Sequence, residues 1–272
     1  MRVKPSRVAA AAVAIAAAAF PPIQAPASAA PAQPTDNFVW SQSNPTLVDA
    51  TQVTLPGQLI EGGCSFDAPK LTLAPDQQAV EADQIAVDPS TCNAIWQVGT
   101  PEAVVSTPDV DAGAELVGAS ASAGAICNDC TSAKAKKLTS SSGYERGWVT
   151  DPPGITLAST KSTLSWSYDG TCVRSGSGAY QYYWHSSTGW SKPKNPYSYI
   201  YSYCDYDQVS SGADFEDNNF WTDPCWPMDT WIHFHYIDVY GWFDGTLGGE
   251  YSISYENSCV TLYIHHQLKR ET

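Results

Sequence analysis

The sequence predicts a mainly β protein, with an antiparallel β-sandwich or barrel in the C-terminal half preceded by a small disulfide-linked N-terminal segment. Three observations predict it. All 15 tyrosines and most of the 10 tryptophans fall from Tyr144 onward. Strand-length runs of aromatic and β-branched residues recur there at short intervals, with no helical periodicity between them. The chain also carries 8 cysteines, an even number that suits a disulfide framework.

In chain order, Arg2, Lys4 and Arg7 precede an apolar run from Val8 to Phe20, and Ala27-Ser28-Ala29 supplies an A-x-A cleavage signal. Residues 1–29 therefore read as a secretory signal peptide. The apolar run falls short of the roughly 20 residues that span a bilayer, and no later run is longer. A secreted, extracellular protein without a transmembrane anchor is expected. Cleavage would remove three basic residues and no acid, leaving a chain still more acidic than its formal charge of −14. A pI near 4.5 argues against nucleic acid as a partner, because such a surface repels phosphate.

Residues 30–43 form a Pro/Ala/Gln-rich leader. Residues 44–100 are expected to be a small α+β segment, with strands at Ser65 to Leu73 and Gln78 to Val87. There Asp88-Pro89-Ser90-Thr91 has the composition of a helix cap before a short helix from Cys92 to Val98. Residues 101–143 are rich in Ala and Ser and read as a connection. Residues 144–272 form the aromatic-rich antiparallel domain, with strands at Ser162 to Tyr168, Gly178 to Trp184, Tyr197 to Tyr203, Thr230 to Phe243, Glu250 to Tyr255 and Cys259 to His266. Turn residues at Asp244-Gly245 and Glu256-Asn257-Ser258 predict that the last three strands form a meander.

The cysteines allow about a hundred connectivities. Pairing of sequence neighbours is expected: Cys64 with Cys92, Cys127 with Cys130, Cys172 with Cys204, and Cys225 with Cys259. The C-x-x-C at Cys127 lacks both the second pair of a zinc site and a βαβ frame, so it reads as a structural bridge.

Glu81-Ala82-Asp83-Gln84-Ile85-Ala86-Val87-Asp88-Pro89-Ser90-Thr91-Cys92, Gly99-Thr100-Pro101 and His265-His266-Gln267-Leu268 resemble secreted bacterial β-rich proteins with the same order of parts. The resemblance implies export and a β-rich C-terminal half, and carries no activity, cofactor or catalytic residue.

Tyr197, Tyr199, Tyr201 and Tyr203 alternate with Ser198, Ile200, Ser202 and Cys204, so on a strand all four rings share one face. Tyr180, Tyr182 and Trp184 alternate likewise. Such rows offer ring faces for sugar C–H surfaces and hydroxyls for sugar hydrogen bonds. The expected function is a secreted, non-enzymatic protein that binds carbohydrate or a cell-wall polymer through Tyr197, Tyr199, Tyr201, Trp184 and Trp190. An aromatic face packed against a second sheet is the competing reading.

Asp205, Asp207, Asp214, Glu216, Asp217, Asp223 and Asp229 form an acidic run read as a solvated loop, with calcium as the alternative ligand. His233 and His235 share a strand face, and with His265 they are the candidate zinc ligands. No cofactor is expected as the primary reading. There is no G-x-S-x-G, H-E-x-x-H, P-loop or G-x-G-x-x-G. A hydrolase remains the alternative, using a carboxylate pair from Asp214, Glu216, Asp217 and Asp238 or a His-ligated metal. A structural protein of the cell envelope is the third reading.

Overall fold

Two antiparallel sheets face one another across a core of alternating inward side chains. The computed structural model describes residues 38–40, 47–102, 117–123, 137–152, 154–217, 229–258 and 262–271. Among these the regular structure is strand, apart from a 3₁₀ turn at Ser186–Thr188. The expected signal peptide, most of the connection, and Cys127, Cys130, Cys225 and Cys259 lie outside the described residues.

The nine-stranded sheet runs β2 (Leu47–Leu55), β7 (Ala94–Pro101), β6 (Ala79–Val87), β16 (Tyr263–Glu271), β9 (Thr139–Thr150), β10 (Thr156–Tyr168), β11 (Val173–Trp184) and β8 (Val117–Ala123), with β1 (Val39–Trp40) also on β6. The seven-stranded sheet runs β12 (Lys194–Ser202), β13 (Tyr206–Asp217), β14 (Thr230–Trp242), β15 (Leu247–Glu256), β4 (Gly63–Asp67) and β3 (Gln58–Ile60), with β5 (Leu71–Leu73) also on β15. A sandwich with mainly β structure is therefore observed.

The core sits where β9, β10 and β11 face β13, β14 and β15. Leu164, Trp166, Val149, Phe215, Ile232, Ile237 and Ile253 are buried there. The sheets approach closely where one side supplies glycine and the other a ring. A Cβ on Gly241 would stand 2.3 Å from the Trp166 ring, so only glycine admits that tryptophan, whose Nε1 donates to the Trp242 carbonyl at 3.1 Å. Buried hydroxyls tie the layers: Ser162 Oγ donates to the Ile237 carbonyl at 2.7 Å, and the Tyr182 hydroxyl reaches the Tyr197 carbonyl at 2.8 Å.

One interior pair is ionisable. Glu145 on β9 and His266 on β16 are both fully buried and in contact, with Tyr251 stacked on the imidazole at 5.0 Å. Burial pushes the Glu145 carboxyl well above its ordinary range and the His266 imidazole down to about 3. Burial thus favours the neutral form of each, a protonated carboxyl beside an unprotonated ring.

Several expectations are corrected. The predicted helix from Cys92 to Val98 is strand β7. Asp88 acts as a turn residue instead of a helix cap: its Oδ1 accepts from Ser90 N at 2.9 Å and its Oδ2 from Thr91 Oγ1 at 2.9 Å. Those bonds hold its carboxyl below the usual range. Cys92 then takes a φ of 58° and bonds to Cys64 with a Cα–Cα distance of 5.5 Å, which ends any helical continuation. The same carboxylate chemistry serves caps and turns, so composition alone does not separate them.

Of the segment expected at residues 44–100, the strands from β2 to β7 are shared between both sheets, and Cys64–Cys92 staples β4 of one sheet to the β6–β7 turn of the other. The end of the leader is ordered as β1, with Phe38 packed on Ile85, Ala86 and Ile95. Within the expected connection, β8 pairs with β11, and β9 begins at Thr139. The acidic run is not a loop as far as Asp217, because residues 206–217 are strand β13. The final meander is also replaced: β14 and β15 pair, but the far edge of β15 is taken by β4 and β5, so β16 crosses to the other sheet and inserts between β6 and β9.

Candidate aromatic binding face

β12 is an edge strand whose even-numbered residues from Ser198 onward look inward, with Ile200 packed on the core. Its odd residues carry the tyrosine row outward. Tyr199 is 55% exposed, Tyr201 40% and Tyr203 46%. Ring centroids step 5.6 Å from Tyr197 to Tyr199, 6.0 Å to Tyr201 and 6.5 Å to Tyr203, and no ring turns more than 35° from its neighbour. The row continues onto the sheet through Tyr206, 4.8 Å from Tyr203, which touches Tyr240 at 5.7 Å and Trp242 at 6.3 Å.

Tyr197 shows how the rings lie. Its hydroxyl donates to the His235 carbonyl on β14, so the side chain crosses β13 and its ring rests on Gly212. Burial pushes its phenol up to about 12.

Beside the row, in register across the strands, stand Ser210, Asp238 and Glu250. Gln208 Nε2 donates to Asp238 Oδ2 at 2.8 Å; the Tyr240 hydroxyl lies 3.0 Å from that same oxygen and 3.3 Å from Glu250 Oε2. Lys70 pairs with Glu250. One phenol proton cannot serve two acceptors. Burial raises the proton affinity of Asp238, which accepts from both Gln208 and Tyr240. The face thus presents rings together with side chains that both donate and accept.

Two of the expected ligand contacts are elsewhere. Trp184 and Trp190 are 3% and 4% exposed and belong to the core, as does Tyr182. Alternation correctly groups Tyr180, Tyr182 and Trp184 on one side of β11, but that side faces the opposing sheet.

The metal candidates do not converge. His233 Nδ1 is 2.8 Å from Asp214 Oδ1, His235 Nε2 is 2.8 Å from Ser254 Oγ, and His265 lies in the other sheet. Asp205 is exposed, whereas Asp207 is buried against Gly176. Among the described residues no three ligating side chains gather. Of the candidate catalytic acids, Asp214 is held by His233 and Asn195 and Glu216 by Lys194, while Asp238 stands beside Glu250. The sequence reading missed Tyr206, Gln208, Tyr240, Trp242 and Glu250, although Asp238, Tyr240 and Trp242 alternate as plainly as the tyrosine row. No family model, curated protein or solved structure matches the chain.

Proposed function

We propose that the chain is an exported protein that binds carbohydrate or a related cell-surface polymer on the outer aromatic face of the seven-stranded sheet, by retention and without turnover there. The unbroken row from Tyr197 to Tyr203, with three rings open to solvent, carries the reading. Solvent-facing rings of this extent are costly unless they meet a ligand. Rings of similar tilt suit the C–H faces of successive sugar units, and Gln208, Asp238, Glu250 and the phenols suit their hydroxyls. The signal-like N-terminus and the Cys64–Cys92 bond fit an oxidising, extracellular setting.

The test is co-sedimentation with insoluble cellulose, chitin, xylan and bacterial cell wall, together with a glycan array. Retention on at least one polymer is expected, weakened about thirtyfold in the Tyr199→Ala, Tyr201→Ala double variant if each ring contributes on the order of 1 kcal/mol. Absence of retention on all of them, or retention unaffected by that variant, overturns the reading.

A further inference from the structure

On the outer face of the nine-stranded sheet, three neighbouring strands bring together a hydroxyl, an imidazole and a carboxylate. His265 on β16 pairs in register with Asp83 on β6, and Tyr263, two residues before it, pairs with Thr150 at the end of β9. His265 Nδ1 stands 2.7 Å from Asp83 Oδ1, and its Nε2 stands 3.0 Å from Thr150 Oγ1.

With the carboxylate accepting from Nδ1–H, the tautomer is fixed and Nε2 is left as the acceptor for the Thr150 proton. The ring is held: Trp148 stacks on it at 5.0 Å and 12°, with the Arg146 guanidinium over the indole at 5.1 Å. The flank is held as well, because Tyr144 donates to Gln267 at 2.8 Å and Gln267 donates to Glu81 at 2.8 Å. Thr150 keeps only 6% of its surface in solvent and the Asp83 side chain 6%, while the His265 side chain stays 13% open.

A hydroxyl is a weak nucleophile until a base oriented by a third group stands within hydrogen-bond reach. We propose that Thr150, His265 and Asp83 form a nucleophilic relay in which Thr150 accepts the acyl group of a small ester. Thr150 Oγ1 bonds to the acyl carbon as its proton passes to His265 Nε2. The C–O bond to the alcohol breaks, and Nε2 returns the proton to the departing oxygen. Water then attacks the acyl-threonine, loses a proton through Nε2, and releases the carboxylic acid with the Thr150 hydroxyl restored. Asp83 is the positioning residue. The proposal is independent of the aromatic face, which lies on the other sheet.

The experiment treats the purified full chain with p-nitrophenyl acetate, follows nitrophenolate release, and maps the acid-quenched protein by peptide mass. One acetyl group on the Thr150 peptide is expected. It should be lost in Thr150→Val, which preserves side-chain shape, and in His265→Gln, and retained in Thr150→Ser, with polymer retention unaffected in all three. Should Thr150→Val fail to fold, His265→Gln with an unchanged melting temperature decides the matter in its place. No adduct on the wild-type peptide, or acetylation elsewhere that persists in both variants, overturns the relay.

Discussion

Tyr197 lies on Gly212: a Cβ at that glycine would stand 2.5 Å from Tyr197 Cε1 and 2.5 Å from the Phe234 carbonyl. The absence of a side chain on β13 is what lets a tyrosine from the edge strand lie flat and bond to the strand beyond. Gly212→Ala should lift that ring and tilt the start of the row. A stability loss of about 1 to 3 kcal/mol, as for overpacking, is expected in urea unfolding, together with weaker polymer retention than in the wild type.

Exposure separates the open rings of the proposed binding face from the rings of the core. Tyr199→Ala should change stability by less than about 0.5 kcal/mol. Trp184→Ala, in the core, should cost about 3 to 5 kcal/mol. Parallel thermal melts of the two variants check this, and equal losses would contradict the assignment of faces.

The neutral Glu145–His266 pair sets a pH profile. Glu145 keeps its proton to higher pH when folded than when unfolded, where it ionises near 4.5, so its contribution to stability falls as pH rises above that value. His266 is unprotonated when folded until about pH 3 but gains a proton near 6.5 when unfolded, so its contribution falls as pH drops below 6.5. The two slopes cancel between 4.5 and 6.5, leaving a plateau. Above it, stability should decline as pH rises, until Glu145 ionises in the folded state as well. Denaturant titrations of the wild type and Glu145→Gln above about pH 6.5 should differ in slope, the wild type losing stability faster as pH rises.

Cys64–Cys92 closes a loop of 28 residues. Replacing both cysteines with alanine should cost about 3 to 4 kcal/mol in the chain-entropy model, measured as a shift in the chemical denaturation midpoint.

Several strands of the C-terminal half were legible because alternation and turn residues are local signals. β13 was not, since Asp207 and Ser211 are polar yet buried, and their burial comes from the partner sheet. Alternation assigns residues to a face without saying which face is covered. That is why Tyr199 and Trp184 look alike in sequence and are opposite in the fold. Grouping His265 with His233 assumes that consecutive strands pair, and the crossover of β16 breaks that assumption. Asp83, Thr150 and His265 come from three strands far apart in the chain, so no spacing could announce their meeting.

The insertion of β16 between β6 and β9 also governs the order of events during folding. Until Tyr263–Glu271 arrives, the strands around β6 and those around β9 to β11 each present a bare hydrogen-bonding edge, and the interior pair lacks its imidazole. Closure of the larger sheet therefore waits on contacts between residues nearly two hundred positions apart, as Asp83 and His265 are. Slow, late consolidation follows from such nonlocal pairing, and a nascent chain lacking this last strand has its two half-sheets still to be joined.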